Sequence, residues 1–137
     1  MSSSWNMKQG PNFAPAYLVS GTPYVTGSGT GTENLSSTTK QFDFPYVSKF
    51  LTFSNITTNE ELYVAFTEEG LVGAGGGVGD RHFFTVPGNG TTVTLDVRCK
   101  TVFLRSSGAV QWSLCAGLTG IESFPVLTGS NGFKGVG

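Results

Sequence analysis

Between Leu71 and Phe84 the chain reads LVGAGGGVGDRHFF: five glycines within seven residues, Gly73 to Gly79, then Asp80, Arg81 and the only histidine, His82. Two chemistries are open to residues placed in this way. A glycine-rich turn can cradle a phosphate on backbone N–H groups, and a histidine two residues from a carboxylate can move protons. The phosphate cradle fails on pattern. A dinucleotide fingerprint needs G-x-G-x-x-G between a strand and a helix; Gly73 and Gly75 fit, but the third position is Val78 and the segment that follows, DRHFFTVP, reads as a strand. The nucleotide-triphosphate loop would end in Gly-Lys-Ser/Thr, which the chain lacks. Asp80 and His82 would share one face of that strand, and the plainer reading is a polar step from loop to sheet with His82 at the rim.

Other nucleophile and metal chemistry is equally thin. A dyad of His82 with Cys99 or Cys115 stays open, because the fold and not the spacing decides whether they meet. The adjacent carboxylate pairs Glu60-Glu61 and Glu68-Glu69 flank ELYVAF at both ends. They read as solvated charges guarding a hydrophobic strand, since with one His they make no ligand set. No cofactor, metal or catalytic residue is therefore expected. Cys99 and Cys115, without CxxC spacing, read as buried free thiols. Sequons at Asn34, Asn55 and Asn89 fall at turns of a Ser/Thr-rich chain and are given little weight as glycosylation sites.

The elements that must position these residues are strands. Phe42, Phe44 and Tyr46 alternate with Gln41, Asp43 and Pro45, and the proline marks an edge or a bend. KFLTFSNI and ELYVAF follow, the latter with Leu62, Val64 and Phe66 on one face. HFFTVP leads through Gly88-Asn89-Gly90 into TTVTLDVRCKTVFLR, read as one alternating run in which Val93, Leu95, Val97, Cys99 and Phe103 share a face. After Ser106-Ser107-Gly108, Val110, Trp112, Leu114 and Ala116 fall in register. An interrupted first strand is expected over 17–20 and 24–26. Thr58 to Glu61 has capping-box spacing, yet LYVAF is rich in strand formers, so a strand wins there. About eight short strands, with long connections at 28–39 and 68–81, predict an all-β, single jelly-roll antiparallel sandwich over residues 16–118.

Composition bounds the partners. The chain has 137 residues, one domain's length, with 8 Lys+Arg against 9 Asp+Glu and a net charge of -1. That supplies no basic field for nucleic acid, so direct nucleic-acid contact is not expected. Charged residues make up only 12% of the chain, against 20 Gly and 11 Phe. This suits a surface packed among neighbours. No apolar run is long enough to span a membrane, and MSSSWNMKQGPNFAP has neither a signal peptide's apolar core nor Gly at position 2 for myristoylation. Residues 1–15 and 119–137 are rich in Gly, Ser, Asn and Pro, with isolated Trp5, Met7, Phe13, Phe124 and Phe133. They read as arms that are either disordered or lie across a neighbouring surface, where these large side chains would be the anchors.

The succession FLTFSNITTNEELYVAF, glycine-rich loop, HFFTVPGNGTTVTLDVRCKTVFLR and VQWSLCAGLTGI resembles the single jelly-roll capsid proteins of double-stranded DNA viruses, and in particular the penton proteins of large icosahedral viruses. The resemblance covers residues 17–118. It implies a structural protein of the virion, assembled in the host cytoplasm, forming a homopentamer at fivefold vertices and contacting major and minor capsid proteins, without enzymatic activity. The alternative from another class is a glycan- or receptor-binding β-sandwich, such as a trimeric jelly roll or a fibre or decoration module. It is weakened by loops 28–39 and 68–81, where Trp, Tyr and Phe are absent.

Overall fold

The computed structural model describes residues 14–18, 20–28, 31–36, 38–68, 70–71 and 82–122. A single helical turn, α1 (Pro15–Leu18), precedes ten strands: β1 (Thr22–Gly27), β2 (Glu33–Asn34), β3 (Lys40–Asp43), β4 (Ser48–Asn55), β5 (Leu62–Ala65), β6 (Phe84–Val86), β7 (Thr91–Leu95), β8 (Thr101–Ser106), β9 (Ala109–Val110) and β10 (Trp112–Leu118). Every pairing is antiparallel. First pairs with last, and so inward: β1 with β10, β2 with β9, β3 with β8, β4 with β7, β5 with β6. The chain is thus one long nested hairpin whose tip is the β5–β6 connection. Two further pairings, β10 with β4 and β8 with β5, zip the hairpin's arms into sheets of order β1-β10-β4-β7 and β3-β8-β5-β6. That wiring is the jelly roll.

Inward-facing alternation builds the core between the sheets. Leu51 and Phe53 of β4, Leu62 and Val64 of β5, Val102 and Leu104 of β8, and Leu114 and Ala116 of β10 are fully buried. Edge-on aromatic pairs tie the sheets together: Phe53 with Phe84 at 6.1 Å, Tyr24 with Phe44 at 5.0 Å and Phe42 with Trp112 at 5.4 Å between ring centroids. Such pairs favour this offset geometry through their ring quadrupoles. A corner is closed by Glu33, whose carboxylate accepts from Lys40 Nζ at 2.7 Å and Trp112 Nε1 at 3.2 Å.

Four sequence expectations change. The run from Thr91 to Arg105 is two strands in different sheets, because residues 96–100 cross from one sheet to the other. Cys99 still faces in, but β8 then presents Val102 and Leu104 inward, so Phe103 faces out. The crossover is held by buried Ser48, whose Oγ donates to the Val97 carbonyl at 2.9 Å and accepts from the Cys99 N–H at 3.0 Å. Tyr17, expected in a first strand, sits in α1 and packs on Val47 and Ile121. Thr119 and Ile121, inside the expected C-terminal arm, are buried, with the Val47 N–H bonded to the Ile121 carbonyl at 2.8 Å. The two-residue ribbon β2–β9 was not expected at all; it braces the long first connection.

Turns follow their residues. Asn59 and Asn89 adopt φ of 66° and Gly90 of 84°, the left-handed region that Asn and Gly tolerate. Gly88 is required for space: a Cβ there would lie 2.0 Å from the Thr57 carbonyl oxygen. The TNEE segment is a turn leading into β5, as strand propensity requires.

Candidate assembly surface

The residues with the most chemistry on paper are dispersed. Glycines 73–79, Asp80 and Arg81 lie outside the described residues. In the sequence they fall in the connection from β5 to β6, between Leu71 and His82. Leu71 is fully buried against Ala65, Tyr63, Phe83 and Phe103 on the outer face of the β3-β8-β5-β6 sheet. The His82 N–H donates to the Gly70 carbonyl at 3.0 Å, which joins the two described flanks of that connection. His82 itself is half-buried at the start of β6, the rim position that the sequence suggests.

The thiols lie in different surroundings. Cys99 is buried beneath the β7–β8 crossover, with Ser48 Oγ 3.5 Å from its sulfur. Burial pushes its pKa up to about 11, only partly offset by the Ser48 hydroxyl. At neutral pH it is a protonated thiol and a poor nucleophile. Cys115 is half-buried, not buried as expected, and occupies the outer face of β10, in register with Val25 and Thr52. His82 belongs to the other sheet, so a His82–Cys115 dyad would have to reach across a sandwich about 10 Å thick. Both cysteines are free. Among the described residues no group of three or more His, Cys, Asp or Glu is placed to hold a metal, and no helix is long and apolar enough to cross a membrane.

Of the carboxylate pairs, Glu60 accepts from Ser107 Oγ at 2.6 Å, Glu61 and Glu68 are exposed, and Glu69 lies outside the described residues. Asn55 of the second sequon is fully buried, donating to the Glu60 and Val86 carbonyls at 3.0 and 3.2 Å. It is no glycan acceptor in the folded chain. Asn34 and Asn89 are exposed. The candidate anchors Trp5, Met7, Phe13, Phe124 and Phe133 all lie outside the described residues.

Two features of the surface emerge that residue chemistry did not announce. The first is an end. β1 and β4 begin, and β7 and β10 finish, at the same end of the sandwich. There Tyr17, Val47 and Ile121 pack together, so the first and last described segments meet at this end.

The second is a face. On the outside of β1-β10-β4-β7, rows run across all four strands: Val25, Cys115, Thr52, Thr94, and one step along, Gly27, Ser113, Ser54, Thr92. The hydroxyls bond each other, Thr52 to Thr94 at 3.0 Å and Thr92 to Ser54 at 3.4 Å. No charge interrupts these rows. Lys49, Asp96 and Arg98 line a depression with Phe50 and Tyr17 toward the chain-exit end. At the other end an uncharged hollow of about 410 Å³ lies beside Val25 and Ile56, which are 70% and 54% exposed. The sequence signal for this face was present: alternate positions of β4 and β7 carry Thr and Ser where an ordinary solvent face carries Lys and Glu. Comparison with protein-family models, characterised proteins and solved structures finds no match to this chain.

Proposed function

We propose that this chain is a structural capsid protein of a double-stranded DNA virus, the penton subunit that closes a fivefold vertex as a homopentamer and is held there by its terminal arms to major and minor capsid proteins. The observation that carries the reading is the jelly-roll sandwich whose first and last described segments meet at one end. Five copies about an axis would send ten arms to the same side of the ring, toward the shell that must retain it. The charge-poor composition, 12% charged with a net charge of -1, supports close approach of identical copies. Cys99, buried and protonated at neutral pH, is a poor nucleophile and lends no support to a thiol hydrolase.

The role needs no chemistry from the protein. A heterologous contact repeated through a fifth of a turn closes on itself, and the ring gains stability from burying equivalent surface five times. Antibody labelling of intact particles from the source tests the reading. Label confined to the vertices is the expected result; label spread over the facets, or none on the particle, contradicts it.

A further inference from the structure

Among the described asparagines only Asn89 is followed by glycine; Asn34, Asn55 and Asn59 precede Leu35, Ile56 and Glu60. That dipeptide carries a reaction of its own. The Gly90 backbone nitrogen can attack the carbonyl carbon of the Asn89 side chain, forming a C–N bond and expelling the side-chain nitrogen as ammonia, which carries off the proton lost by the Gly90 N–H. Water then opens the cyclic imide at one of its two carbonyls and leaves aspartate or isoaspartate. The reaction requires water, a nitrogen with no bulky side chain beside it, and a backbone free to bring the two atoms together.

Two of these three conditions are met in the folded chain. The Asn89–Gly90 turn is exposed between β6 and β7, and a Cβ added to Gly90 would find nothing within 4 Å. Freedom of the backbone is what the fold removes. The Gly90 N–H donates to the Asn55 carbonyl at 3.0 Å, and the Asn89 N–H donates to the Thr57 carbonyl at 2.9 Å. Asn55 is itself fully buried and fixed by side-chain bonds to the Glu60 and Val86 carbonyls, so the acceptor cannot follow a moving turn. Thr91 Oγ1 ties the far side of the turn to the Gly88 carbonyl at 2.9 Å. A nitrogen held in such a bond keeps its proton and cannot swing toward its neighbour's side chain.

From this geometry we infer that Asn89 is a site of spontaneous deamidation whose reaction the fold withholds, so that it proceeds only in chains whose β6–β7 turn has opened. The rate follows the population of open turns, and the native chain should react roughly tenfold or more slowly than the unfolded one. The isoaspartate product cannot be accommodated afterwards. It lengthens the main chain by an atom between the Asn89 and Gly90 N–H groups, while Gly88, whose added Cβ would lie 2.0 Å from the Thr57 carbonyl oxygen, leaves no slack on the other side. Conversion at Asn89 is thus a one-way mark on chains that have spent time unfolded.

The test incubates the full chain in mildly alkaline buffer, native and in urea, and follows the tryptic peptide 82–98 by mass spectrometry. Asn89 is the only asparagine in that peptide, and the Asn131-Gly132 dipeptide falls on a different one. In urea the peptide should acquire the mass of the amide-to-acid change and split into aspartyl and isoaspartyl forms. In native buffer it should do so at least about tenfold more slowly. Gly88→Ala, which forces the turn away from the Thr57 and Glu60 carbonyls, should raise the native rate toward the unfolded one, provided that its secondary-structure content shows a folded chain. If that variant does not fold, the wild type in a series of sub-denaturing urea concentrations decides, because the rate should climb as the turn opens. Equal rates in native buffer and urea overturn the inference, as does a peptide that stays unconverted in urea. A folded Gly88→Ala chain that reacts as slowly as the wild type also overturns it.

Discussion

Cys99 lies under the β7–β8 crossover with its thiol 3.5 Å from Ser48 Oγ, and burial raises its pKa from 9.0 to about 11. The consequence for stability has a definite sign. Below pH 9 the folded and unfolded chains both hold the proton and the contribution is complete. Between pH 9 and 11 the unfolded thiol ionises while the folded one does not, so stability falls as pH rises through that window. Urea unfolding should therefore show a steeper loss in the wild type than in Cys99→Ala, by up to about 1.4 kcal/mol per pH unit; equal slopes would mean that the thiol is solvated. Thiol labelling of the native chain should modify Cys115 first and Cys99 only on unfolding. Asn55 offers a second residue-scale test. Its side chain donates to two carbonyls and accepts from the Thr57 N–H at 3.1 Å in a fully buried position, so Asn55→Ala should cost about 2 to 4 kcal/mol in denaturant unfolding. At this scale the sequence marked His82 as a rim residue and Cys99 as a buried thiol. It could not mark Cys115 as half-buried, since that depends on which side of β10 lacks a cover.

Elements were legible where alternation stays in one sheet. β4, β5 and β10 each show apolar residues at every second position, and those positions are the core. The pattern misled where the chain changes sheet. Cys99 and Val102 both face inward although they are three residues apart, so the period-2 phase reverses within the crossover; the sequence registers this only as a continued run. One helical turn over PAYL and the β2–β9 ribbon were hidden for a different reason. Both are too short to show a period, and tertiary contacts specify them. The connections are equally specific in places. Gly88 leaves no room for a methyl group against the Thr57 and Glu60 carbonyls, so Gly88→Ala should lower stability by roughly 1 to 3 kcal/mol, read from the denaturation midpoint. A change within a few tenths of a kcal/mol would show that the β6–β7 turn can shift aside at little cost.

On the scale of the whole molecule, the nested hairpin determines the folding and underlies the assembly proposed above. Pairing β1 with β10 joins residues almost a hundred positions apart, and such non-local contacts place folding on the order of milliseconds to seconds. Stopped-flow refolding should give that time range; microsecond folding would be at odds with this topology. The same nesting brings the first and last described segments together where Tyr17 packs with Val47 and Ile121, the property that the proposed arm-bearing ring subunit requires. The glycine-rich run, which first suggested phosphate binding, falls in the β5–β6 connection, whose described flanks are joined by the His82 N–H to the Gly70 carbonyl. Single-particle imaging of the purified full chain tests the central claim most directly. The account predicts closed rings with fivefold symmetry, five sandwiches to the ring and both chain ends of each on the same side. Isolated sandwiches, or rings with another number of copies, would contradict it.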